Sequence, residues 1–122
     1  MNGLVVVTYE DINFTEIETG RLAEAYTVFH SNPGIPFVGA LSLNDDFSSA
    51  GMTVRVSVDS NSALNLSMFN LNPAAGALFV SATGGTFNPA SPTTPDGTEV
   101  VSFTSGQNST VGYEGFGSVT LL

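Results

Sequence analysis

Residues 52–59 alternate strictly: Met52, Val54, Val56 and Val58 are apolar, while Thr53, Arg55, Ser57 and Asp59 are polar. A period of two sends one set of side chains to a buried face and the other to water, the pattern of a half-covered β-strand. Weaker forms of this alternation, rich in β-branched and aromatic residues, predict strands over 4–9, 13–18, 36–43, 64–71, 77–82, 99–104 and 110–121. The gaps between them hold turn formers: Asn32-Pro33-Gly34, Asn72-Pro73, Gly84-Gly85, Pro95-Asp96-Gly97 and Ser105-Gly106. About eight short strands separated by such turns predict an all-β, single-domain antiparallel β-sandwich or jelly roll spanning 1–122. No internal repeat is evident.

Two segments complicate this pattern. Thr15 and Glu18 have capping-box spacing, and Leu22, Ala25, Tyr26 and Phe29 recur at helical intervals, which predicts a short helix near 21–28. Gly20 opposes a helix, however, and Tyr26, Val28 and His30 also alternate as on a strand. Pro89, Pro92 and Pro95 fall within seven residues. They refuse a central strand and predict a stiff, extended surface loop, a shape that proline-recognising grooves also accept.

Charge changes the picture most. Only 11% of residues are charged, against about 25% in an average protein. The thirty-six residues 60–95 carry no Asp, Glu, Lys or Arg at all. A surface of Asn, Ser, Thr, Ala and Gly can be pressed dry against a neighbour without burying an unpaired ion. Eleven acids against Arg21 and Arg55 leave a net charge of −9. That balance excludes a basic stripe for nucleic acid and opposes binding to an anionic membrane. Cysteine is absent, which removes disulfides and thiolate metal sites. The first residues read as no signal peptide, and no apolar run reaches the ~18 residues of a membrane span.

The candidate chemistry is sparse. A hydrolytic triad would have to use His30, the single histidine, and no Gly-x-Ser-x-Gly elbow accompanies it. Zinc would lack both thiolates and a second imidazole. Glu16 and Glu18 share a strand face, as paired glycosidase carboxylates would, but they read more simply as two solvated acids. Calcium takes loop oxygens, so Asp45, Asp46 and Asp59 are candidate ligands; alternatively each is a turn former bonded to its own backbone.

Together these features predict a non-enzymatic structural subunit of a large assembly, such as a virion decoration or capsid-associated protein. It would bind no cofactor and act through protein partners, as a homo-oligomer or in a capsid or filament lattice, on a virion or an extracellular surface. The residues expected at contacts are Leu4, Val5, Val6 and Val7, a continuous apolar run, together with Leu71, Phe79, Phe87, Leu121 and Leu122. The alternative is an extracellular carbohydrate- or calcium-binding module, with Tyr9, Tyr26 and Tyr113 stacking on sugar rings, or a surface-filament subunit.

Overall fold

The computed structural model of the chain describes residues 15–18, 24–29, 37–45, 50–104 and 106–122. Among them are ten strands and one 3-10 turn at Pro73–Ala75. A wide sheet holds β1 (Thr15–Glu18), β3 (Phe37–Asp45), β5 (Ser62–Asn70), β9 (Ser109–Glu114), β8 (Gly97–Ser102) and β7 (Thr86–Asn88), side by side in that order. A narrow sheet holds β10 (Ser118–Leu121), β6 (Ala77–Ser81), β4 (Met52–Ser57) and β2 (Glu24–Phe29). Every pairing in the narrow sheet is parallel. In the wide sheet β1, β3, β5 and β9 are parallel, and only β8 and β7 run antiparallel to their neighbours.

From β1 to β6 successive strands therefore alternate between the sheets, and each circuit returns one strand further along, as in a two-sheeted parallel β-solenoid; β7, β8 and β9 then follow one another in the wide sheet. This overturns the antiparallel sandwich or jelly roll expected from the sequence. The error has a physical source. Parallel sheets are normally covered on both faces by helices and read as continuous apolar runs, whereas alternation normally marks antiparallel sheets. Here the crossover between parallel neighbours is itself a strand of the opposite sheet. Among the described residues each sheet is thus covered on one face only, and alternation persists.

The circuit length is a repeat that the sequence conceals. Thr15 pairs with Leu41, 26 residues on, and Leu41 with Leu66, 25 residues on. In the narrow sheet Val54 pairs with Leu78, 24 residues on. The last wide-sheet step, Leu66 to Val111, takes 45 residues because the β7–β8 hairpin and its proline-rich connection are inserted. No residue type marks the period, and the insertion breaks its phase.

The helix expected near 21–28 is also corrected: Glu24–Phe29 is strand β2, paired along its length with β4. Tyr26 and Val28 pack against the core while Phe29 is exposed, so alternation wins over the helical spacing. The strand expected over 110–121 divides into β9 and β10 at Gly115, whose φ of 80° makes the corner. A Cβ there would run into the Asn70 carbonyl as well as straining the backbone. The strand expected at 4–9 lies outside the described residues.

The core lies between the sheets. Leu43, Leu66, Met68 and Val111 of the wide sheet are fully or almost fully buried against Met52, Val54, Val56, Leu78 and Val80 of the narrow one. One corner is held by a buried amide. The Asn70 Oδ1 accepts from the Met52 N–H at 3.0 Å, and its Nδ2 donates to the Asn72 and Gly115 carbonyls at 2.7 and 2.6 Å. Asn70 also stacks in register on buried Asp45 of the preceding circuit. Strand β8 covers the edge of β9, and β7 is three residues long and runs into Pro89, so the wide sheet closes on a short, blunted strand.

Candidate functional site

Two places in the fold depart from a plain apolar solenoid: the outer face of the narrow sheet and a buried polar cluster beneath the proline-rich segment. The outer face is set by register. One row runs Thr27, Arg55, Phe79, Thr120, and the rows beside it run Ala25, Thr53, Ala77, Ser118 and Phe29, Ser57, Ser81. Leu122 continues the last row, since its N–H bonds the Val80 carbonyl and its carbonyl accepts from Ala82 N–H.

Arg55 is the one charged residue on these rows and the one basic residue among those described. Its guanidinium lies 4.7 Å from the centroid of the Phe79 ring, a cation–π contact worth about 0.5–1 kcal/mol at an exposed site. Stacked in this way, the side chain lies flat instead of projecting. Phe29 and Leu122, 60% and 67% exposed, stand at opposite ends of one row. Three strand spacings of about 4.8 Å and six residues of about 3.3 Å give a platform of roughly 400 Å² with its side chains.

The second place is built on Glu99 of β8. Its register partner is Val111, which pairs in turn with Leu66, so Glu99 occupies a core position at the end of an apolar row. It is fully buried, and its Oε2 has no hydrogen-bond partner. Its Oε1 lies 3.5 Å from the Tyr113 hydroxyl of β9. That hydroxyl donates at 2.9 Å to the Thr93 carbonyl, and the Thr93 hydroxyl donates at 2.8 Å to the Asp96 carbonyl.

Two further bonds tie the same turn to the last corner: Gly115 N–H to Asp96 Oδ1, and Phe116 N–H to the Pro95 carbonyl, both at 2.9 Å. Gly97 is required here by close approach, because a Cβ would meet the Tyr113 hydroxyl. Burial pushes the Glu99 carboxyl above its ordinary range, only partly offset by the contact with Tyr113. Burial likewise raises the Tyr113 phenol; its hydrogen bonds to Thr93 oppose the rise, and the nearby Glu99 charge adds to it.

The sequence candidates fare unevenly. Asp59 is a turn former: its Oδ1 accepts from Asn61 N–H at 2.8 Å and from the Ser62 hydroxyl at 3.1 Å. Asp45 is buried at the far end of β5 from Asp59, beside Asn70, so the two are not brought to one calcium site. Asp46 and His30 lie outside the described residues. Among the described residues no three His, Cys, Asp or Glu are grouped to hold a metal ion. The backbones of Glu16 and Glu18 sit in register with Ser42 and Asn44 on β3.

Of the tyrosines offered for sugar stacking, Tyr113 is buried, Tyr26 packs against the core and Tyr9 is not described. Among the expected contact residues, Leu71 and Leu122 are exposed and Phe79 is half-buried under Arg55. Phe87 and Leu121 instead pack against the core, and Leu4, Val5, Val6 and Val7 are outside the described residues. The sequence reading missed Phe29 as an exposed residue because it was counted in a helical stripe. It missed Glu99 although that residue stands two positions before Val101, on the same face of the strand.

The proline-rich segment is mostly exposed and is held to the last corner by the bonds at Thr93, Pro95 and Asp96. No described helix is long and apolar enough to cross a membrane. Comparison with known proteins finds no matching family model, no matching curated protein and no matching solved structure.

Proposed function

We propose that this chain is a non-enzymatic structural subunit that assembles with further copies of itself, as in a virion shell decoration or a surface filament. The observation that carries this reading is the outer face of the narrow sheet, with a single flattened charge and exposed Phe29 and Leu122 at its margins. Drying such a face desolvates one charged group, Arg55, which keeps its contact with the Phe79 ring, and the aromatic and aliphatic groups at its ends gain from burial. Part of the ion-free stretch 60–95 has a simpler cause: alternate residues of β5 and β6 are the protein's own core. Of that stretch, Ala77, Phe79 and Ser81 lie on the face offered to a partner.

The size of the face favours a weak, repeated kind of association. Roughly 400 Å² is about half of the ~800 Å² per partner that stable pairs bury. One such contact is weak, and it becomes effective where many copies are held in a lattice. Sedimentation velocity over a range of protein concentrations tests this. Reversible, concentration-dependent self-association is expected, and a strict monomer at the highest attainable concentration refutes it.

A further inference from the structure

The cluster beneath the proline-rich segment contains more acceptors than protons. Thr93 spends its hydroxyl proton on the Asp96 carbonyl, and Tyr113 spends its own on the Thr93 carbonyl at 2.9 Å. The Glu99 Oε1 lies 3.5 Å from the phenol oxygen, with no proton of Tyr113 left for it, and Oε2 has no partner. Two oxygens at that separation attract only if one carries a hydrogen. With Glu99 neutral, the carboxyl supplies it, donating into the free lone pair of the phenol. With Glu99 ionised, the nearest available proton is that of Tyr113, and a charge-assisted bond outcompetes a neutral one.

We propose that the Tyr113 hydroxyl is a two-position, pH-controlled tether: it holds the Thr93 carbonyl while Glu99 is protonated and turns to Glu99 when that carboxyl ionises, loosening the proline-rich segment at Thr93 while the bonds at Pro95 and Asp96 remain. The groups that face Glu99 allow this simple behaviour. From β9 the titratable residue in contact is Tyr113; Glu114 is exposed and one position out of phase with the inward-facing Tyr113. From the turn before β8, Asp96 directs its carboxylate to Gly115 N–H. Of the narrow sheet's strands, β6 and β10 carry no charged residue, β4 carries Arg55 on the outer face over Phe79, and β2 carries Glu24 at its first position, in register with Met52, and Tyr26. Desolvation is the leading influence on Glu99, so its ionisation falls above the ordinary glutamate range.

The sign follows. A carboxyl raised in the folded state gives stability that is fully present below its unfolded value, about 4.3, and is lost as pH rises through the folded value. The loosened piece is the connection of the β7–β8 hairpin, which covers the edge of β9. The tether is one of three bonds, with those at Pro95 and Asp96, that hold this connection to β9 and the corner after it.

Nuclear magnetic resonance on the intact protein tests the proposal. The Glu99 carboxyl carbon and the amides of Thr94, Asp96 and Gly97 are expected to shift with one shared midpoint, above the ordinary glutamate range. Hydrogen exchange across 93–97, corrected for intrinsic rates, is expected to quicken roughly tenfold over that transition, as for loss of one hydrogen bond. In Glu99→Gln the amide transition should vanish. In Tyr113→Phe the segment should take its released shifts at every pH. Separate midpoints for the carboxyl and the amides in the unaltered protein overturn the proposal whether or not the variants fold, and so does a transition that persists in Glu99→Gln.

Discussion

Replacing Asn70 isolates the contribution of one side chain to the closure of a solenoid corner. Its amide serves three backbone groups drawn from β4, from the turn after β5 and from the corner after β9. In Asn70→Ala the Met52 N–H and the Gly115 carbonyl, both in buried residues, lose their partners. Each unsatisfied buried group costs about 1–3 kcal/mol, so a loss of about 3–5 kcal/mol is expected with the small void included. Against a total of about 5–15 kcal/mol for a domain, that is a large fraction.

Asn70→Asp is the sharper test because the shape is kept. One oxygen still accepts from Met52, but the other replaces an N–H that faced two carbonyls. Ionised, it is repelled; protonated, it donates to one of them. The folded pKa of the new carboxyl is therefore raised, and its stability relative to the parent should fall as pH rises above about 3.9. Because the group can always protonate, the added cost at pH 7 is bounded at about 4 kcal/mol, or 1.36 kcal/mol per pH unit. Urea denaturation of parent and both variants at pH 4 and pH 7 reads these numbers directly. An Asn70→Ala cost below about 1 kcal/mol, or an Asn70→Asp difference that ignores pH, would refute the corner account.

Gly115→Ala should destabilise by more than the ~1 kcal/mol of a strained backbone alone, because its Cβ meets the Asn70 carbonyl; a thermal melt unchanged from the parent would contradict this. Ser57→Glu places a carboxylate at an exposed position beside Phe29 and Ser81. It should leave stability within about 0.5 kcal/mol while weakening self-association severalfold. Equal association of parent and variant by sedimentation would remove the narrow-sheet face from consideration.

Much of the fold was legible in local pattern and little of it in long-range arrangement. The alternation at 52–59 correctly gives β4 and its inward residues, and the strand predictions at 64–71 and 77–82 fall on β5 and β6. Strand direction was not legible, because a period of two reports one covered face without saying what covers it. In most proteins a half-covered sheet is antiparallel; here the opposite sheet supplies both the cover and the return path. The 24-to-28-residue circuit was hidden because Leu41, Leu66 and Val111 share only apolarity, a property half of every strand has.

The candidate site divides in the same way. Leu122 and Phe79 were recognisable as apolar residues in an ion-poor chain, whereas their place in one face with Phe29 and Arg55 depends on register between coils. Glu99 looked like any other acid until β8 turned it inward.

The most direct test of the account is the salt dependence of self-association. Two copies of charge −9 about 30 Å apart repel by about 4 kcal/mol at 0.01 M salt, where the Debye length is about 30 Å. At 0.15 M, with a Debye length of about 8 Å, the repulsion falls to a few tenths of a kcal/mol. Sedimentation velocity at matched protein concentrations should therefore show association strengthening by roughly three orders of magnitude between these conditions. A protein that remains monomeric in both, or that associates more strongly in low salt, would contradict assembly through the narrow-sheet face.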